Sequence, residues 1–385
     1  MKRKITVVTS SRADYSHLYW VFRELAKKPD VELTVVAMGS HLSPEFGNTL
    51  SNITADGFLT ENIECLLSSD SDVGMAKTIG LATLGLADYF ARLRPDLLLL
   101  IADRYEMLAP ASVALALRIP IVHIEGGDVS LGAIDDAVRN ALTKLSHIHL
   151  TATETSRKRV ISMGEEAWRV HVVGSPSLDH ITKGVLLTRA EVENRLGIPL
   201  DGSTVAVIYH PVTILRDPVC EADELFAALQ RLPQKLLFIS PNADAGSREL
   251  LQRIHRFIAS RPDDRFVTNI DHVTYLSLLQ FLTAMVGNSS SGIMEAASFK
   301  LPAVNVGIRE KGREHGNNVL DCAPGRDEIE RAVHVALSDN FRASLRDLTN
   351  PYGDGHSSEK IAQILSTVSL SESLLMKEPV PIRCD

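Results

Sequence analysis

The chain has 385 residues, of which 45% are hydrophobic and 23% are charged, and its formal net charge at pH 7 is -8. This composition is typical of a globular protein with room for two domains of ordinary size. The negative charge, together with the lack of a basic run longer than Lys2-Arg3-Lys4, argues against a protein that binds nucleic acid or an anionic membrane surface.

Apolar patterning and cysteine usage favour a protein of the reducing cytoplasm. The apolar stretch at residues 5–8 is too short for a signal peptide, and no apolar stretch approaches the roughly 20 residues of a membrane helix. The cysteines are Cys65, Cys220, Cys322 and Cys384. Because they show no CxxC pairing, we expect neither a disulfide framework nor a zinc site.

In the first half of the chain, short apolar runs alternate with helical patterns, as they do in parallel βαβ units. Strands are predicted at residues 5–10, 32–38, 97–102, 119–124, 147–151 and 170–173. Helices are predicted near residues 16–27, 73–92, 134–145 and 154–163. Several strand runs lack polar alternation, so helices should cover both faces of the sheet.

A second series of the same kind begins after Asp201-Gly202. Its strands are predicted at residues 204–209, 235–239, 265–269, 284–286 and 303–306, and its helices near 221–230, 247–260, 275–282, 292–298 and 326–338. The sequence therefore predicts an α/β fold of two Rossmann-like doubly wound domains, at residues 1–180 and 181–365. A last helix near residues 358–370 is expected to pack back onto the first domain. Residues 366–385 are assigned to a C-terminal tail, in which Pro379-Val380-Pro381 is expected to be poorly ordered.

The chain contains neither GxGxxG nor GxxxxGK[ST], so the dinucleotide and P-loop hypotheses lose their main support. Arg12 and Ser16 lie where the first strand enters a helix, which is a natural anion site, although a helix cap beside a surface arginine would have the same sequence. Ser289 and Ser290 follow a strand between two glycines and could approach a phosphate closely. Glu295 comes one turn later, where it could accept two ribose hydroxyls.

Acidic residues concentrate at strand ends of the first half. Asp103-Arg104 ends one predicted strand, at the edge of a parallel sheet that faces its ligand. The segment 119–136 adds His123, Glu125, Asp128, Asp135 and Asp136. Such carboxylates can raise one another's pKa and divide acid and base roles. Ligation of Mg²⁺ or Ca²⁺ and a solvated acidic loop remain alternatives on these residues alone.

Polar residues also end strands of the second half. A lone histidine is more often structural than functional, but the position of His210 at a strand end beside Pro211 makes a functional role as good an interpretation as a structural one. Asn242 and Arg309 follow the next strand and the last one in the same way. No GxSxG nucleophile motif occurs.

Taken together, these motifs resemble the hydrolysing UDP-N-acetylglucosamine 2-epimerases of sialic acid biosynthesis, over about residues 4 to 365. The segments that carry the resemblance are Ser11-Arg12-Ala13-Asp14-Tyr15-Ser16, Gly39-Ser40-His41-Leu42, Gly47-Asn48-Thr49, Asp103-Arg104, His123-Ile124-Glu125-Gly126-Gly127, Ile134-Asp135-Asp136, Thr143-Lys144-Leu145, His210-Pro211-Val212-Thr213, Asn242-Ala243-Asp244-Ala245-Gly246-Ser247 and Gly287-Asn288-Ser289-Ser290. The resemblance implies a glycosyltransferase-B-like fold, in which two Rossmann-type domains hold the nucleotide.

The resemblance also implies residue roles. The family's nucleotide-contacting residues fall on Arg12, Ser16, Arg104, His210, Asn242, Val273, Ser289, Ser290, Glu295 and Arg309. Its acid/base carboxylates fall on Asp103, Glu125 and Asp135, and His210 joins them as a catalytic residue. No metal and no cofactor is expected, since no hydride moves and protein groups can stabilise the leaving diphosphate. The partner expected is a UDP-sugar, and the chain is expected to form a homo-oligomer, either a dimer or a tetramer.

Four features depart from the family pattern, and all of them concern the sugar side. Ala102 stands where the family has glycine, Asp128 where it has glutamate, and Asn140 where it has histidine, while the loop at residues 129–133 is one residue longer than in the animal relatives. Animal relatives also carry basic residues for feedback by a nucleotide-activated sialic acid. The matching positions here are Arg248, Asp271 and His272, and the acidic one argues against that regulation.

The expected mechanism is elimination followed by hydration. Cleavage of the C1–O bond acidifies the C2 proton, a carboxylate removes that proton as UDP leaves, and water then adds to the resulting glycal with protonation of C2 from the opposite face. The first hypothesis for the substrate is UDP-N-acetylglucosamine, which would give N-acetylmannosamine and UDP. The second is the same chemistry on UDP-2,4-diacetamido-2,4,6-trideoxyglucose, on the route to legionaminic acid. A glycosyltransferase that uses a UDP-sugar and retains C2, and a binding module without activity, are the alternatives from other classes.

Overall fold

The computed structural model describes residues 2–67, 69, 71–241, 244–268 and 270–379. The chain forms two compact units, each with its own parallel sheet. Unit 1 comprises residues 1–128, residues 135–179 and the chain from Tyr352 on, and unit 2 comprises residues 129–134 and 180–351. The loop 129–134 and the segment from Tyr352 therefore lie in the other unit from the one that the boundaries 1–180 and 181–365 would give.

Over the described residues, the sheet of unit 1 has seven parallel strands and that of unit 2 has six. The strands of unit 1 are β1 (Arg3–Thr9), β2 (Val31–Met38), β3 (Thr60–Ile63), β4 (Leu97–Ile101), β5 (Ile121–Ile124), β6 (Ile148–Thr151) and β7 (Val170–Val172). Those of unit 2 are β8 (Val205–Ile208), β9 (Leu236–Ile239), β10 (Arg265–Val267), β11 (Ala284–Gly287), β12 (Ala303–Val306) and β13 (Val319–Cys322).

The order of the strands locates a switch point in each sheet. The orders are β3-β2-β1-β4-β5-β6-β7 and β10-β9-β8-β11-β12-β13. The winding reverses between β1 and β4 in unit 1 and between β8 and β11 in unit 2. A doubly wound sheet binds its ligand at such a point, beyond the carboxyl ends of the strands.

Helices cover the sheets as the continuous apolar strands require. They are α1 (Arg12–Ala26), α2 (Leu50–Ala55), α3 (Asp72–Leu93), α4 (Leu108–Leu117), α5 (Asp135–Leu145), α6 (Glu154–Ser162), α7 (Asp179–Lys183), α8 (Arg189–Leu196), α9 (Ala222–Leu229), α10 (Ser247–Ala259), α11 (His272–Leu279), α12 (Ser291–Met294), α13 (Arg326–Ala336), α14 (Asp339–Ser344), α15 (Ser357–Thr367) and α16 (Glu372–Leu375). In unit 1, α1 and α15 pack into the hydrophobic cluster on one face of the sheet, and α3 and α4 into the cluster on the other.

The sequence analysis did not predict β3, β13 and α4, because their sequences lack the apolar patterns by which strands and helices are recognised. The strands β3 and β13 lie at sheet edges and are largely polar or half-exposed, so neither reads as a buried apolar run. The helix α4 has apolar residues on all sides, and an all-round apolar helix lacks the 3.6-residue periodicity by which amphipathic helices are found.

The C-terminal segment is bound to unit 1. The Arg169 guanidinium donates hydrogen bonds to three backbone carbonyl oxygens at residues 373–376, at 2.6 to 3.3 Å. Lys377 donates to both carboxylate oxygens of Glu165, at 3.0 and 2.9 Å. The tail expected at residues 366–385 is therefore docked as far as Lys377, and its end from residue 380 lies outside the described residues.

Two further observations concern the classes of protein weighed above. None of the described helices has both the length and the apolar character needed to cross a membrane. Cys65, Cys220 and Cys322 are free thiols, and Cys384 lies outside the described residues.

Candidate active site

The loop between β1 and α1 is organised by one carboxylate. Asp14 accepts hydrogen bonds from the backbone N–H of Ser10 at 2.9 Å and of Ser11 at 3.1 Å, and the Ser11 hydroxyl accepts from the Asp14 N–H at 3.3 Å. This capping box starts α1 at Arg12, earlier than the predicted start at residue 16. Arg12 and Ser16 thus lie in the first turns of the helix and are partly exposed. The predicted cap is present, and anion binding there stays a prediction.

The other side of the switch point in unit 1 is the turn after β4. Ala102 has φ +55°. This left-handed conformation is strained for a residue that has a Cβ and unstrained for glycine. The glycine that the family carries here would adopt this turn without strain. Asp103 and Arg104 follow, and Arg104 pairs at 3.1 Å with Glu106. Burial raises the pKa of the Glu106 carboxyl.

The carboxylates at this edge meet around a cation that sequence reasoning left out of the site. Arg139 of α5 is only 1% exposed. Its guanidinium forms an ion pair with Asp103 and another with Asp136 at 3.3 Å, and it donates to the Asp128 carbonyl oxygen at 3.0 Å. The predicted acidic cluster therefore contains a buried positive charge. Its signal in the sequence was the i,i+3 spacing of Asp136 and Arg139, which places both on one helix face.

Glu125 is held by burial and by a serine hydroxyl. Its backbone has φ +63°, its side chain is 3% exposed, and its carboxylate accepts a hydrogen bond from the Ser175 hydroxyl at 2.6 Å. Asp135 is the first residue of α5 and is partly exposed. The structure thus joins Asp103 to Arg139, fixes Glu125 through Ser175, and leaves Asp135 at a helix N-terminus.

Two polar residues of the predicted cluster have supporting positions. His123 is fully buried, with Nε2 at 2.8 Å from the Ala102 carbonyl oxygen and Nδ1 at 3.3 Å from the Thr143 hydroxyl. Burial lowers the pKa of His123 to about 4, so at neutral pH the ring is uncharged and braces the Ala102 turn. The Asp128 carboxylate accepts from the Ser156 hydroxyl at 2.5 Å, at the start of α6.

In unit 2, a buried asparagine connects two of the predicted diphosphate ligands. The Asn288 side chain accepts from the His210 N–H at 2.7 Å and donates to the His210 carbonyl oxygen at 2.9 Å. Arg309 donates to the Asn288 carbonyl oxygen at 3.0 Å. Gly287 precedes it because a Cβ there would overlap the Ile208 carbonyl oxygen. Sequence reasoning quoted Asn288 in a motif but gave it no role.

The serine loop leads into a single helical turn. Ser290 immediately precedes α12, and the Ser289 hydroxyl accepts from the Ser291 N–H at 3.4 Å. The Ser291 hydroxyl lies 2.5 Å from the Tyr275 hydroxyl. Glu295 follows α12 and is 3% exposed. Burial, followed by the charge of Glu295, raises the pKa of Tyr275, which stays a neutral hydrogen-bonding partner of the loop.

Two predicted nucleotide contacts remain, Val273 and Asn242. Val273 lies in the first turn of α11, where its carbonyl oxygen accepts from the Ser277 hydroxyl at 2.6 Å. Asn242 lies outside the described residues. Asp271, one of the feedback positions, caps α11 and pairs with Arg195 at 3.5 Å, so this acidic residue has a structural role.

The loop 129–134 belongs to unit 2, although the chain on both sides of it belongs to unit 1. The Gly132 carbonyl oxygen accepts from the Ile214 N–H at 3.4 Å. A Cβ on Gly132 would lie 2.6 Å from the Arg309 Cα, so only glycine fits against that backbone. Asp135 is the next residue after the loop.

Comparison with known proteins shows the family to which the chain belongs. The sequence model of the family described as UDP-N-acetylglucosamine 2-epimerase matches residues 23–366. The chain belongs to this family. The resemblance found in the sequence is thereby confirmed.

Relatives within the family extend over the whole chain. A Legionella pneumophila protein named UDP-N,N'-diacetylbacillosamine 2-epimerase (hydrolyzing) is 38% identical over 385 residues, which are 98% of this chain and 99% of that protein. A Campylobacter jejuni protein named GDP/UDP-N,N'-diacetylbacillosamine 2-epimerase (hydrolyzing) is 36% identical over 346 residues, 89% of each chain.

A solved structure of Staphylococcus aureus MnaA with UDP has a TM-score of 0.78 and 17% identity, and the match covers 95% of this chain and 96% of that one. At this identity the likeness concerns the fold. The prediction of two Rossmann-like, glycosyltransferase-B-like units is confirmed by it and by the two sheets.

Proposed function

We propose that this chain is a hydrolysing 2-epimerase, which converts a UDP-linked 2-acetamido sugar and water into UDP and the free 2-epimeric sugar. One observation carries the proposal: in a chain of this family, carboxylates, arginines, serines and a histidine lie at the carboxyl ends of the strands, near the switch points of the two sheets. Unit 1 would supply the carboxylates, and unit 2 most of the groups that bind UDP.

In unit 1, a carboxylate would take the proton from C2 while the C1–O bond to UDP breaks, and the electrons of the C2–H bond would form the C1–C2 double bond of a glycal. Glu125 is the candidate for this step because, of the three carboxylates Asp103, Glu125 and Asp135, it is the buried one, and the Ser175 hydroxyl holds its carboxylate. Asp103 and Asp135 are the candidates for hydration, in which water adds its hydroxyl to C1 and a proton reaches C2 from the opposite face. Arg139 orients Asp103 through their ion pair.

In unit 2, positive and hydrogen-bonding groups would stabilise the UDP leaving group. Arg309 and His210 are held by the same asparagine, Asn288. Such shared support keeps donors in place before the charge develops, which is the main source of electrostatic catalysis. Ser289 and Ser290 would bind phosphate, and Glu295 is buried in the position proposed for ribose recognition. Arg12, Ser16, Arg104, Asn242 and Val273 complete the proposed set of nucleotide contacts.

The substrate we favour is UDP-2,4-diacetamido-2,4,6-trideoxyglucose, the UDP-N,N'-diacetylbacillosamine that appears in the names of the two relatives at 38% and 36% identity. UDP-N-acetylglucosamine, the first hypothesis from the sequence, is the second candidate because the matching family carries that name. The sugar-side departures at Ala102 and Asp128 agree with a sugar other than N-acetylglucosamine.

The test is product analysis by NMR after incubation of the full chain with each UDP-sugar in D₂O, without added metal or nicotinamide. We expect UDP and a free 2-epimerised sugar in equal amounts, with deuterium at C2, and faster turnover of the diacetamido substrate. A product without deuterium at C2 would rule out the proton-exchange mechanism.

Controls separate the competing functions. A glycosyltransferase would need an acceptor and would leave C2 unchanged. If protein treated with EDTA is inactive and Mg²⁺ restores its activity, the carboxylates act as metal ligands and the proposed mechanism is wrong. Faster turnover of UDP-N-acetylglucosamine would keep the mechanism and reverse the substrate preference.

A further inference from the structure

The turn after β4 buries an acidic residue to which the proposed reaction gives no role. Glu106 lies two residues after Arg104, in a short 3-10 helix at Tyr105–Met107. Its neighbours Tyr105 and Met107 are buried in the hydrophobic cluster that α3 and α4 cover. Glu106 itself is 1% exposed, although carboxylates are almost never fully buried in proteins unless they are paired.

The partner of Glu106 is the arginine at the start of the same turn. Glu106 Oε1 accepts a hydrogen bond from Arg104 Nη2 at 3.1 Å. Among the residues that the structure describes, the other carboxylate oxygen, Oε2, has no hydrogen-bond partner. Burial raises the pKa of Glu106, while the charge and the hydrogen bond of Arg104 lower it. Arg104 is therefore the main group that stabilises the charged form of this carboxylate.

Stability gives no reason for an ion pair at this position. Removing two charges from water costs free energy, and their attraction offsets that cost only when hydrogen bonds satisfy both groups. Here, within the described part of the chain, one carboxylate oxygen stays unsatisfied. An apolar side chain of similar volume would fill the position at lower cost. A pair of this kind indicates a function in which the position of one charge matters.

Glu106 can act on a ligand only through Arg104. The Glu106 side chain is 1% exposed, whereas the Arg104 side chain is 14% exposed. Arg104 follows β4 at the switch point of unit 1, where doubly wound sheets bind their ligands. A long arginine side chain samples many rotamers in water. An acceptor fixed in the core selects one of them before the ligand arrives, so less conformational freedom is lost on binding.

Two other titratable groups near this turn have different partners or no charge. Asp14, whose charge also raises the pKa of Glu106, accepts hydrogen bonds from two backbone N–H groups of the β1–α1 loop, at 2.9 and 3.1 Å. Burial lowers the pKa of His41 to about 4, so its ring is uncharged at neutral pH. Glu106 is therefore the carboxylate that is committed to Arg104.

We infer that Glu106 is a positioning residue, whose buried carboxylate holds the Arg104 guanidinium in the orientation that binds the nucleotide of the UDP-sugar. Arg104 is a nucleotide contact in the proposed function, on which this inference rests. Three features of the turn support it: the two-residue spacing, the hydrogen bond at 3.1 Å and the burial of the acceptor.

Isothermal titration calorimetry of the full chain with UDP tests the inference. Glu106→Gln keeps the shape of the side chain and removes its charge. We expect it to raise the dissociation constant of UDP by roughly 10-fold or more, the equivalent of one lost charged hydrogen bond. In a chain that already carries Arg104→Gln, the same change should have no further effect, because Glu106 acts through Arg104. The other nucleotide contacts should keep the affinity of Arg104→Gln measurable.

Glu165→Gln is the matched control, a buried carboxylate of the same unit that pairs with Lys144 and Lys377. Its loss should lower the urea midpoint of unfolding and leave the affinity for UDP unchanged. Circular dichroism checks that every variant is folded.

Steady-state kinetics give a second measurement of the same effect. The protein holds the nucleotide both before and during cleavage of the C1–O bond, so weaker nucleotide binding raises KM and leaves kcat nearly constant. For Glu106→Gln we expect KM for the UDP-sugar to rise by roughly 10-fold or more, with kcat within about threefold of the wild type.

The outcomes distinguish this inference from the proposed function. If the wild-type chain does not bind UDP, the proposed function is wrong, and the role of Arg104 is lost with it. If the wild type binds UDP and Glu106→Gln binds it equally well, the proposed function stands and Glu106 does not position Arg104. If Glu106→Gln weakens binding by the same factor with and without Arg104, it acts through a general change of the fold, and the inference is wrong.

Discussion

At the scale of single residues, the backbone is left-handed at or next to two of the candidate carboxylates, and in both places the left-handed residue is not a glycine. Ala102 has φ +55° immediately before Asp103, and Glu125 itself has φ +63°. Each costs about 1–2 kcal/mol relative to ordinary backbone. Backbone strain of this kind persists where neighbouring contacts hold it, and here the His123 Nε2–H donates a hydrogen bond to the Ala102 carbonyl oxygen.

Replacing Ala102 with glycine should relieve the strain. We expect Ala102→Gly to raise the free energy of unfolding by about 0.5–1 kcal/mol, because the relief of the left-handed penalty exceeds the extra entropy of glycine in the unfolded chain. Ala109→Gly, inside α4, is the matched control and should lower it by about 1 kcal/mol. Urea denaturation measures both, and equal losses in the two variants would contradict the prediction.

Amide substitutions, which remove the charge of a carboxylate and keep its shape, should distinguish the roles of Glu125 and Asp103. Glu125→Gln should slow UDP release by roughly 10²–10⁴, the usual contribution of a general base, because elimination would lose its base. Asp103→Asn should slow hydration more than elimination, so some glycal escapes and is seen by NMR. Glu154→Gln is the control, since this carboxylate forms only an exposed ion pair on α6. Wild-type UDP release by Glu125→Gln would remove that residue from the mechanism.

At the scale of elements, the loop 129–134 belongs to a different unit from the one that its position in the sequence suggests. It lies between a strand and a helix of unit 1, yet it belongs to unit 2 and runs against the backbone of Arg309. A glycine in such a place serves close approach of two backbones. The one-residue lengthening of this loop therefore falls on a segment that touches a proposed diphosphate ligand.

A methyl group at Gly132 should disturb that ligand. We expect Gly132→Ala to weaken UDP binding at least 10-fold, because either the loop or the Arg309 backbone must move, and isothermal titration calorimetry with UDP measures the change. Leu131→Ala is the control within the same loop, since Leu131 is 56% exposed and its loss leaves the backbone in place. An unchanged UDP affinity of Gly132→Ala would show that the loop and Arg309 are independent.

At the scale of the whole molecule, the chain from Tyr352 to Pro379 is part of the first unit. The helix α15 packs on α1, and the segment that follows satisfies the buried Arg169 and Glu165. A buried charge that loses its partners costs several kcal/mol. The C-terminal residues therefore contribute stability to the unit that contains the N-terminus.

Truncation should reveal that contribution. Ending the chain after Leu370 should lower the free energy of unfolding by about 3–5 kcal/mol, because Arg169 and Glu165 lose partners and Leu374 leaves the core. Ending it after Pro379 keeps all of these contacts and should preserve the wild-type value. Thermal and urea unfolding of the two truncated chains measure the difference, and a stable chain ending at Leu370 would show that the docked segment adds nothing.

The α/β class, most of the strands and the strand-end positions of Asp103, Glu125, His210 and Arg309 could be predicted from the sequence. These follow from local patterns: continuous apolar runs predict strands buried on both faces, and the polar residue after such a run lies at the sheet edge where ligands bind. The family resemblance rested on the same segments, because those edges carry the motifs.

The support of these residues depends on the tertiary structure. Arg139 meets Asp103 across 36 residues of sequence, and Asn288 holds His210 across 78. The loop 129–134 joins a unit that its sequence position did not indicate, whereas the return of the last helix to the first unit agrees with the prediction. Such contacts depend on which elements pack side by side, and apolar periodicity records only that a face is buried, without recording what it is buried against.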